Sequence, residues 1–315
     1  MISEADTVPP RSNPPLVRAT NVVKRYGAVS VLEGVSFEIG EGITGLLGAN
    51  GAGKTTLLGL ILGLHGIEDG TLSVLGIDPF HAGPEVRARL GYAPEHHTLP
   101  GDMKAADLVR HVAELHGLPK SEATTRASDT LWLVGLGEER FRPVGTLSTG
   151  QRQRVKLAQA IAHDPKLVLL DEPTDGLDPV QRDDMLDLIV RVARDFGIHF
   201  VISSHLLDEV EQICQGAVIL GGGQVLAAGT LDELRGTGSD IVLDLDAETF
   251  VQSVAATMAA SGAIVKISGR SLVVTGGDDT VFDVARDACA EQGAGIARLG
   301  RRRLTLEDIF LEEST

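Results

Sequence analysis

Short apolar runs alternate along the chain with longer segments whose apolar residues recur at helical spacing. The runs at 42–48 (GITGLLG), 167–172 (LVLLDE) and 199–205 (HFVISSH) are typical of buried strands in a parallel sheet. The segment 55–64 (TTLLGLILGL), directly after the first run, predicts a helix. This alternation predicts an α/β fold in which polar residues stand where the strands end.

Two further regions follow other patterns. Segments 102–118 and 121–136 have apolar positions at helical spacing and predict a helical subdomain at about 96–163, with Trp132 in its core. After a glycine-rich stretch, alternating and helical segments follow in the order β-α-β-β-α-β, which suggests a small α+β domain resembling ferredoxin-like regulatory modules. Thr305 and Asp308 are spaced to begin a last helix, and Arg301, Arg302 and Arg303 suggest a solvated turn.

These patterns divide the chain into three parts. We expect a disordered lead-in at 1–15, a main domain at 16–236 and an accessory domain at 237–315. At 315 residues and 43% hydrophobic content, the chain is long enough to bury a full core in two domains.

Charge and cysteine usage limit the partners and the compartment. A net charge of -16 argues against nucleic acid, since sequence-independent binding needs clustered Lys and Arg. Cys214 and Cys289 lack metal-ligand spacing and suit core or surface thiols in a reducing compartment. No apolar run approaches the ~20 residues of a membrane span, and the first residues lack a signal-peptide pattern. We therefore expect a cytoplasmic protein.

The glycine-rich segment 48–55 carries the first chemical signal. It fits G-x-x-x-x-G-K-[ST], a loop whose backbone N–H groups surround nucleotide phosphates at a helix N-terminus. Lys54 would reach the β and γ phosphates, and the Thr55 hydroxyl would take a Mg²⁺ position. A chance match is the alternative in a chain with 37 glycines.

Two adjacent carboxylates follow the apolar run at 167–172. If this strand lies parallel to the one before the phosphate loop, Asp171 comes near Thr55 and holds Mg²⁺ through water. Glu172 then lies closer to the γ phosphate and is the candidate general base for the attacking water. An acidic surface turn at a strand end is the alternative, which Pro173 and Gly176 would also suit.

The segment LSTGQ at 147–151 predicts a helix start, with Ser148 as the N-cap and an amphipathic helix after Gly150. Such a helix start suits an anion. An ordinary capped helix with solvated arginines is the alternative.

The order of these motifs resembles that of the ATPase subunit of an ABC transporter. Segment 48–55 is followed by LSTGQ, LVLLDE, DGLD at 175–178 and Ser204-His205, and the resemblance covers about 16–236. It implies a P-loop NTPase core of the ABC type, with ATP and Mg²⁺ as cofactors. It further implies a head-to-tail homodimer around two ATP molecules and a separate membrane-spanning permease that contacts the exported substrate. The residues it places at the nucleotide are Tyr26, Gly48, Asn50, Gly51, Ala52, Gly53, Lys54, Thr55, Thr56, Ser148, Gly150, Gln151 and Asp178.

The resemblance also implies individual roles. Ser148 and Gly150 would contact the γ phosphate of the nucleotide held by the opposite chain. His205 would contact the γ phosphate and the catalytic carboxylate, and Tyr26 would stack on adenine. Taken alone, His205 is one of nine histidines, and Tyr26 could equally cover a strand edge.

One position differs from the most familiar pattern. Glu95 stands where a glutamine usually faces Mg²⁺ and the attacking water, and we predict a metal-binding and catalytic role for it. Its charge adds to those of Asp171 and Glu172, which suggests slow or tightly gated turnover. Similar export-type subunits also carry Glu here. His96 and His97 are expected to be exposed loop residues.

The sequence therefore predicts the cytosolic ATP-hydrolysing subunit of a bacterial ABC exporter, attached to the inner face of the membrane through its permease. The segment LEDIFL at 306–311 resembles the tails of subunits related to drug and antibiotic exporters. The alternative is a non-transport ABC ATPase acting in DNA repair or translation. A P-loop kinase would explain neither LSTGQ nor His205.

Overall fold

The computed structural model describes residues 14–95, 99–235, 237–275 and 280–303. The chain divides into two compact units, and the division falls between Leu231 and Asp232. Of the lead-in expected at 1–15, only residues 14 and 15 are described. The histidines at 96 and 97 and the helix expected from Thr305 lie outside the described residues.

The first unit contains nine strands among its described residues. They are β1 (Val17–Tyr26), β2 (Val29–Ile39), β3 (Ile43–Gly48), β4 (Asp69–Val74), β5 (Leu90–Ala93), β6 (Leu167–Asp171), β7 (His199–Ser204), β8 (Gly216–Gly221) and β9 (Gln224–Thr230). Its helices are α1 (Lys54–Ile61), α2 (Gly83–Arg87), α3 (Ala105–Leu115), α4 (Lys120–Leu133), α5 (Thr149–Ile161), α6 (Pro179–Phe196) and α7 (Leu207–Ile213). Two 3₁₀ turns (Glu138–Phe141 and Val144–Thr146) precede α5, and the short α8 (Leu231–Leu234) falls where the units divide.

A six-stranded sheet with the order β5-β6-β7-β3-β8-β9 forms the centre of the first unit. All its neighbouring strands run parallel except β8 and β9. Every residue of β3 and β6 is buried, since helices and loops cover both faces of a parallel sheet. In the register, Leu47 pairs with Ser204 and Asp171 with Ser203, so β3, β6 and β7 end at one edge. The α/β prediction is confirmed.

An antiparallel sheet with the order β2-β1-β4 packs its apolar side chains into the same core. That core includes Val22 and Leu32 from this sheet, Leu57 and Ile61 from α1, and Val201 from β7. Helix α1 is therefore packed into the core that the two sheets share, and its residues from Leu57 to Ile61 are all buried.

Helices α3, α4 and α5 form the predicted helical region. The buried residues of α4 are Ala123, Ala127, Thr130 and Leu131, which follow helical spacing. Trp132 lies beside this stripe and is 65% exposed, so the prediction that it belongs to the core is wrong. Its ring instead lies 5.6 Å from the Arg140 guanidinium.

The second unit is a small α+β domain, as predicted. It contains β10 (Thr237–Leu245), a 3₁₀ turn (Glu248–Phe250), α9 (Val251–Ala260), β11 (Ile264–Ser268), β12 (Ser271–Thr275), α10 (Thr280–Gln292) and β13 (Ile296–Arg303). The sheet order is β11-β12-β10-β13, with all neighbours antiparallel. Leu243, Met258 and Cys289 belong to its core. The three arginines at 301–303 lie in β13, so the turn expected there is wrong, because the pairing with β10 continues to the last described residue.

Both cysteines, Cys214 and Cys289, are buried free thiols. Among the described residues, no helix has the length and apolar character that a membrane crossing would require.

Candidate functional site

The glycine-rich loop joins the end of β3 to the first turn of α1. Gly51 and Gly53 have φ values of 85° and 102°, in the left-handed region that side chains other than glycine seldom occupy. A β-carbon at Gly48 would lie 2.7 Å from the Leu220 carbonyl oxygen, which explains the absence of a side chain there. Gly53 caps α1 without a side-chain hydrogen bond, so the loop presents backbone groups at the positive end of the helix.

A cavity of about 480 Å³ opens above this loop, within the size range of nucleotide and small-molecule sites. Its lining combines the loop with the carboxylates that follow other strands, and consists of Val31, Ala49, Asn50, Gly51, Gly53, Lys54, Thr55, Thr56, Glu95, Asp171 and Glu172. The fold thus brings the predicted phosphate loop and the three acidic residues predicted for metal binding and catalysis to one cavity, whereas Asp178 is not among the lining residues.

Lys54 is a buried cation at the floor of the site. Its ammonium donates a hydrogen bond to the Gly48 carbonyl oxygen at 2.7 Å and lies 3.3 Å from Glu172 Oε1. A buried ammonium requires such anionic and carbonyl partners to offset its lost hydration. The side chain is therefore held where a phosphate group could replace the carboxylate as its partner.

Asp171 meets Thr55, as the parallel-strand argument predicted. The Thr55 hydroxyl donates to Asp171 Oδ2 at 3.2 Å, although the two residues are 116 positions apart. Ser203 on the neighbouring strand β7 donates to the other oxygen, Oδ1, at 2.5 Å. Both carboxylate oxygens thus have hydroxyl partners, and the orientation of Asp171 is determined from two sides.

Glu172 occupies a strained backbone position directly after β6. Its φ of 47° lies in the left-handed region, which is uncommon for a residue with a side chain. The Glu172 N–H donates to Ser203 Oγ at 3.0 Å, and its Oε2 lies 2.9 Å from His205 Nδ1. The side chain is buried among these partners, whereas the His205 ring is partly exposed. The Glu172–His205 pair therefore joins the ends of β6 and β7.

Glu95 lies at the side of the cavity, after β5. Lys156 on α5 donates to the Glu95 backbone carbonyl at 2.6 Å, which ties this loop to the helical region. Burial, with smaller contributions from the Asp171 and Glu95 carboxylates, raises the pKa of the nearby Tyr92 to about 12. Burial also lowers the pKa of Lys156. Burial between α5 and β5 thus disfavours the charged forms of both side chains.

The helix start at LSTGQ lies outside the lining of this cavity. Ser148 Oγ accepts from the Gln151 N–H at 3.2 Å, and Gln151 Oε1 accepts from the Ser148 N–H at 3.0 Å. This reciprocal pair confirms the N-cap that the residues predicted. Asp178 caps α6 with a single bond, which its Oδ1 accepts from the Gln181 N–H at 2.9 Å. Asp178, like Ser148, is not among the described residues that line the cavity.

Tyr26 is also absent from the cavity lining. Its ring is 45% exposed at the end of β1, where the Lys24 ammonium lies 5.0 Å from its centroid and His65 makes an edge contact at 5.8 Å. The side chain thus presents a solvent-accessible aromatic surface.

The hydroxyl side chains that orient the carboxylates were not identified from the sequence. Ser203 and Ser204 both end β7 and are fully buried, and Thr174 follows Glu172 by two positions. The signal available was the pair of serines at the end of an apolar strand, where the chain continued to His205. Their partners could not be identified, because they come from a different strand and helix.

The fold and these contacts define a nucleotide-binding ATPase of the phosphate-loop class. The family model described as "ABC transporter" matches residues 32–175. The chain is 32% identical over 232 residues to the linearmycin resistance ATP-binding protein LnrL of Bacillus subtilis (strain 168), covering 73% of this chain and 74% of that protein. It is 32% identical over 288 residues to the sulfate/thiosulfate import ATP-binding protein CysA of Nocardia farcinica (strain IFM 10152), covering 90% of this chain and 82% of that protein.

Solved structures agree with these relatives. The structure described as the "ATP binding subunit of ABC transporter" superposes with a TM-score of 0.62 at 30% identity, covering 70% of this chain and 92% of that one. The chain belongs to the ATP-binding proteins of ABC transporters, a family of ATPases. The predicted binding of ATP and the predicted ATPase class are thereby confirmed, and the kinase alternative is excluded.

Proposed function

We propose that the protein hydrolyses Mg²⁺-bound ATP at the cavity above residues 48–55 and uses the energy to export a substrate through a separate membrane-spanning partner. The observation that carries this proposal is the convergence of Lys54, the Thr55–Asp171 pair and Glu172 on one cavity. His205, which is not among the lining residues, contacts Glu172. Phosphoryl transfer requires mainly positioning and charge compensation, which these groups can supply.

The donor set suits Mg²⁺. Thr55 and Asp171 offer hydroxyl and carboxylate oxygens, which are the hard ligands that Mg²⁺ prefers, and such sites use only one or two carboxylates with phosphates and waters completing the shell. Thr55 and Asp171 would hold the ion, and Glu95 would approach it from the side of the cavity. The bound ion would neutralise charge on the phosphates during transfer.

The remaining groups have distinct roles. Lys54 would bind the β and γ phosphates, and Glu172 would accept a proton from the attacking water. His205 would hold the Glu172 carboxylate and contact the γ phosphate. The backbone of 48–53 and the hydroxyl of Thr56 would complete the phosphate cradle, and Tyr26 would stack on adenine from its exposed position.

A homodimer would complete the site. Ser148, Gly150, Gln151 and Asp178 lie at two capped helix starts outside the cavity of their own chain. In a head-to-tail pair, the start of α5 would face the γ phosphate bound by the partner, since helix N-termini stabilise anions. The proposed permease would bind this dimer and hold it at the inner face of the membrane.

The direction of transport is tested separately from hydrolysis. The linearmycin resistance relative and the glutamate at position 95 favour export of a compound of the antibiotic type. The relative named for sulfate and thiosulfate import favours the second candidate, import of an oxyanion. The relatives act in resistance or transport, which favours transport over the DNA-repair or translation alternative.

Inverted membrane vesicles that contain this chain and its permease partner would distinguish the two directions. In such vesicles the cytoplasmic face is outside, so ATP added with Mg²⁺ should drive an exported antibiotic into the lumen. Vesicles with Glu172→Gln provide the matched control. ATP-driven loss of preloaded sulfate from the lumen would instead support import, and ATP hydrolysis without movement of either would contradict both candidates.

A further inference from the structure

Glu209 is a buried carboxylate on α7 that the proposed mechanism does not use. It is 3% exposed and is absent from the lining of the nucleotide cavity. Thr174 Oγ1 donates to its Oε1 at 2.6 Å, and Ser204 Oγ donates to its Oε2 at 2.7 Å. Each oxygen of one carboxylate therefore binds a hydroxyl from a different part of the chain.

These two hydroxyls flank the Glu172–His205 pair. Thr174 lies two residues after Glu172, in the turn that follows β6, and Ser204 directly precedes His205 at the end of β7. The Ser204 hydroxyl also accepts from the Leu206 N–H at 3.0 Å, on the other side of His205. Glu209 thus connects the two segments that carry the pair.

The hydrogen bonds that Glu209 accepts from Thr174 and Ser204 are of a strong type. Hydrogen bonds to a buried carboxylate are stronger than those between neutral groups, and an unpaired buried charge would be costly. Arg182 Nε on α6 lies 3.4 Å from Glu209 Oε1 and adds a cation. Burial, together with the nearby Glu209 carboxylate, raises the pKa of the Cys214 thiol to about 12. A buried charge of this kind favours one geometry for its partners, because any other leaves the charge unpaired.

We propose that Glu209 is a positioning residue for the Glu172–His205 pair, holding the two segments at the spacing that Glu172 needs to orient the attacking water. This inference rests on the proposed role of Glu172 as the general base. The strained backbone at Glu172 supports this role for Glu209, because a residue at φ 47° keeps its conformation only when its surroundings enforce it.

The test uses the full chain with Mg²⁺ and ATP, and compares Glu209→Ala and Glu209→Gln with the wild type. Glu209→Ala removes both acceptors. We expect kcat to fall about 10-fold or more while KM for ATP stays within about 2-fold, because small displacements of a catalytic group reduce turnover and leave phosphate binding intact. Glu209→Gln keeps one acceptor oxygen of the same shape and should restore part of kcat. Asp208→Ala removes an exposed acid from the same helix and should behave as the wild type.

A variant that removes one of the two hydroxyl partners covers the case in which Glu209→Ala does not fold. Thr174→Val keeps the shape of the side chain and the carboxylate, and should lower kcat by a smaller factor with an unchanged KM. In a folded Glu209→Ala background, Thr174→Val should cause no additional loss, since the contact is already absent.

The outcomes separate this inference from the proposed function. If Glu172→Gln is inactive while Glu209→Ala, or Thr174→Val in its place, keeps the wild-type kcat, Glu209 does not position the pair. A loss in which KM rises as kcat falls, with no recovery in Glu209→Gln, would show a general structural role and would also overturn the inference. Hydrolysis by Glu172→Gln at the wild-type rate would instead remove the base assignment itself, and the inference with it.

Discussion

Replacement of Ser203 by alanine tests the hydrogen bonds that its hydroxyl makes with Asp171 and Glu172. Ser203 is fully buried, donates to Asp171 Oδ1 at 2.5 Å and accepts from the Glu172 N–H at 3.0 Å. The Glu172 N–H would keep a second acceptor, since it also lies 3.3 Å from the Ser203 carbonyl oxygen. The principal loss is therefore the charge-assisted bond to Asp171.

The expected cost follows from that bond. Hydrogen bonds to charged groups contribute about 1.5–3 kcal/mol to stability, so Ser203→Ala should lower the free energy of unfolding of the first unit by about 2–3 kcal/mol. Little cavity cost is added, because only one oxygen atom is removed. Asp171 Oδ2 keeps its Thr55 partner, so the carboxylate should remain near the cavity but lose one of its two constraints.

Denaturant unfolding followed by the fluorescence of Trp132 would measure this cost. The chain has one tryptophan, and it lies in the first unit, so the signal reports on that unit. Ser36→Ala is the matched control: the Ser36 hydroxyl accepts from the Asn21 N–H at 2.8 Å at an exposed site, where water can replace it. The control should cost about 0.5 kcal/mol or less. Equal costs for the two variants would show that the buried bond to Asp171 adds nothing.

Three further predictions address the nucleotide. Glu172→Gln should leave ATP binding intact and nearly abolish phosphate release, since the amide cannot accept the proton; full turnover would remove Glu172 as the base. Tyr26→Ala should weaken ATP binding by about 1 kcal/mol and leave tripolyphosphate binding unchanged, and equal losses for both ligands would point to folding rather than stacking. Lys54→Ala and Ser148→Arg chains should each be inactive alone, yet mixing them should restore some hydrolysis, because about half of randomly paired dimers contain one site with both residues intact. Mixtures no better than the separate variants, with chain exchange confirmed, would contradict a shared site.

Local features of the site could be predicted because they depend on neighbouring residues. The helix at Lys54 follows directly from glycines next to an apolar periodic segment, and the capping pair of Ser148 and Gln151 depends on a spacing of three positions. The burial of β6 follows from its continuous apolar run. In each case the chain itself determines the distance between the interacting groups.

The error at Trp132 and the omission of Ser203 both arose where the surroundings decide. Trp132 was expected in the core, whereas the buried stripe of α4 passes through Leu131 and leaves the next position outside. The role of Ser203 was missed, since a serine at a strand end has no identifiable partner until the neighbouring strand is known. Helical spacing would have corrected the first of these, and no local signal could have supplied the second.

The sequence by itself determined which residue types stand at the ends of β3, β6 and β7 and which loop is the candidate for binding phosphate. Only the tertiary structure decided that these ends meet, with β7 between β6 and β3, so that Asp171 contacts Thr55 across 116 positions and Glu209 binds Thr174 across 35. The physical reason is that the apolar runs are similar in length and composition, and any of them could pair with another. Their order in the sheet is selected by the packing of the whole core, which no single segment contains.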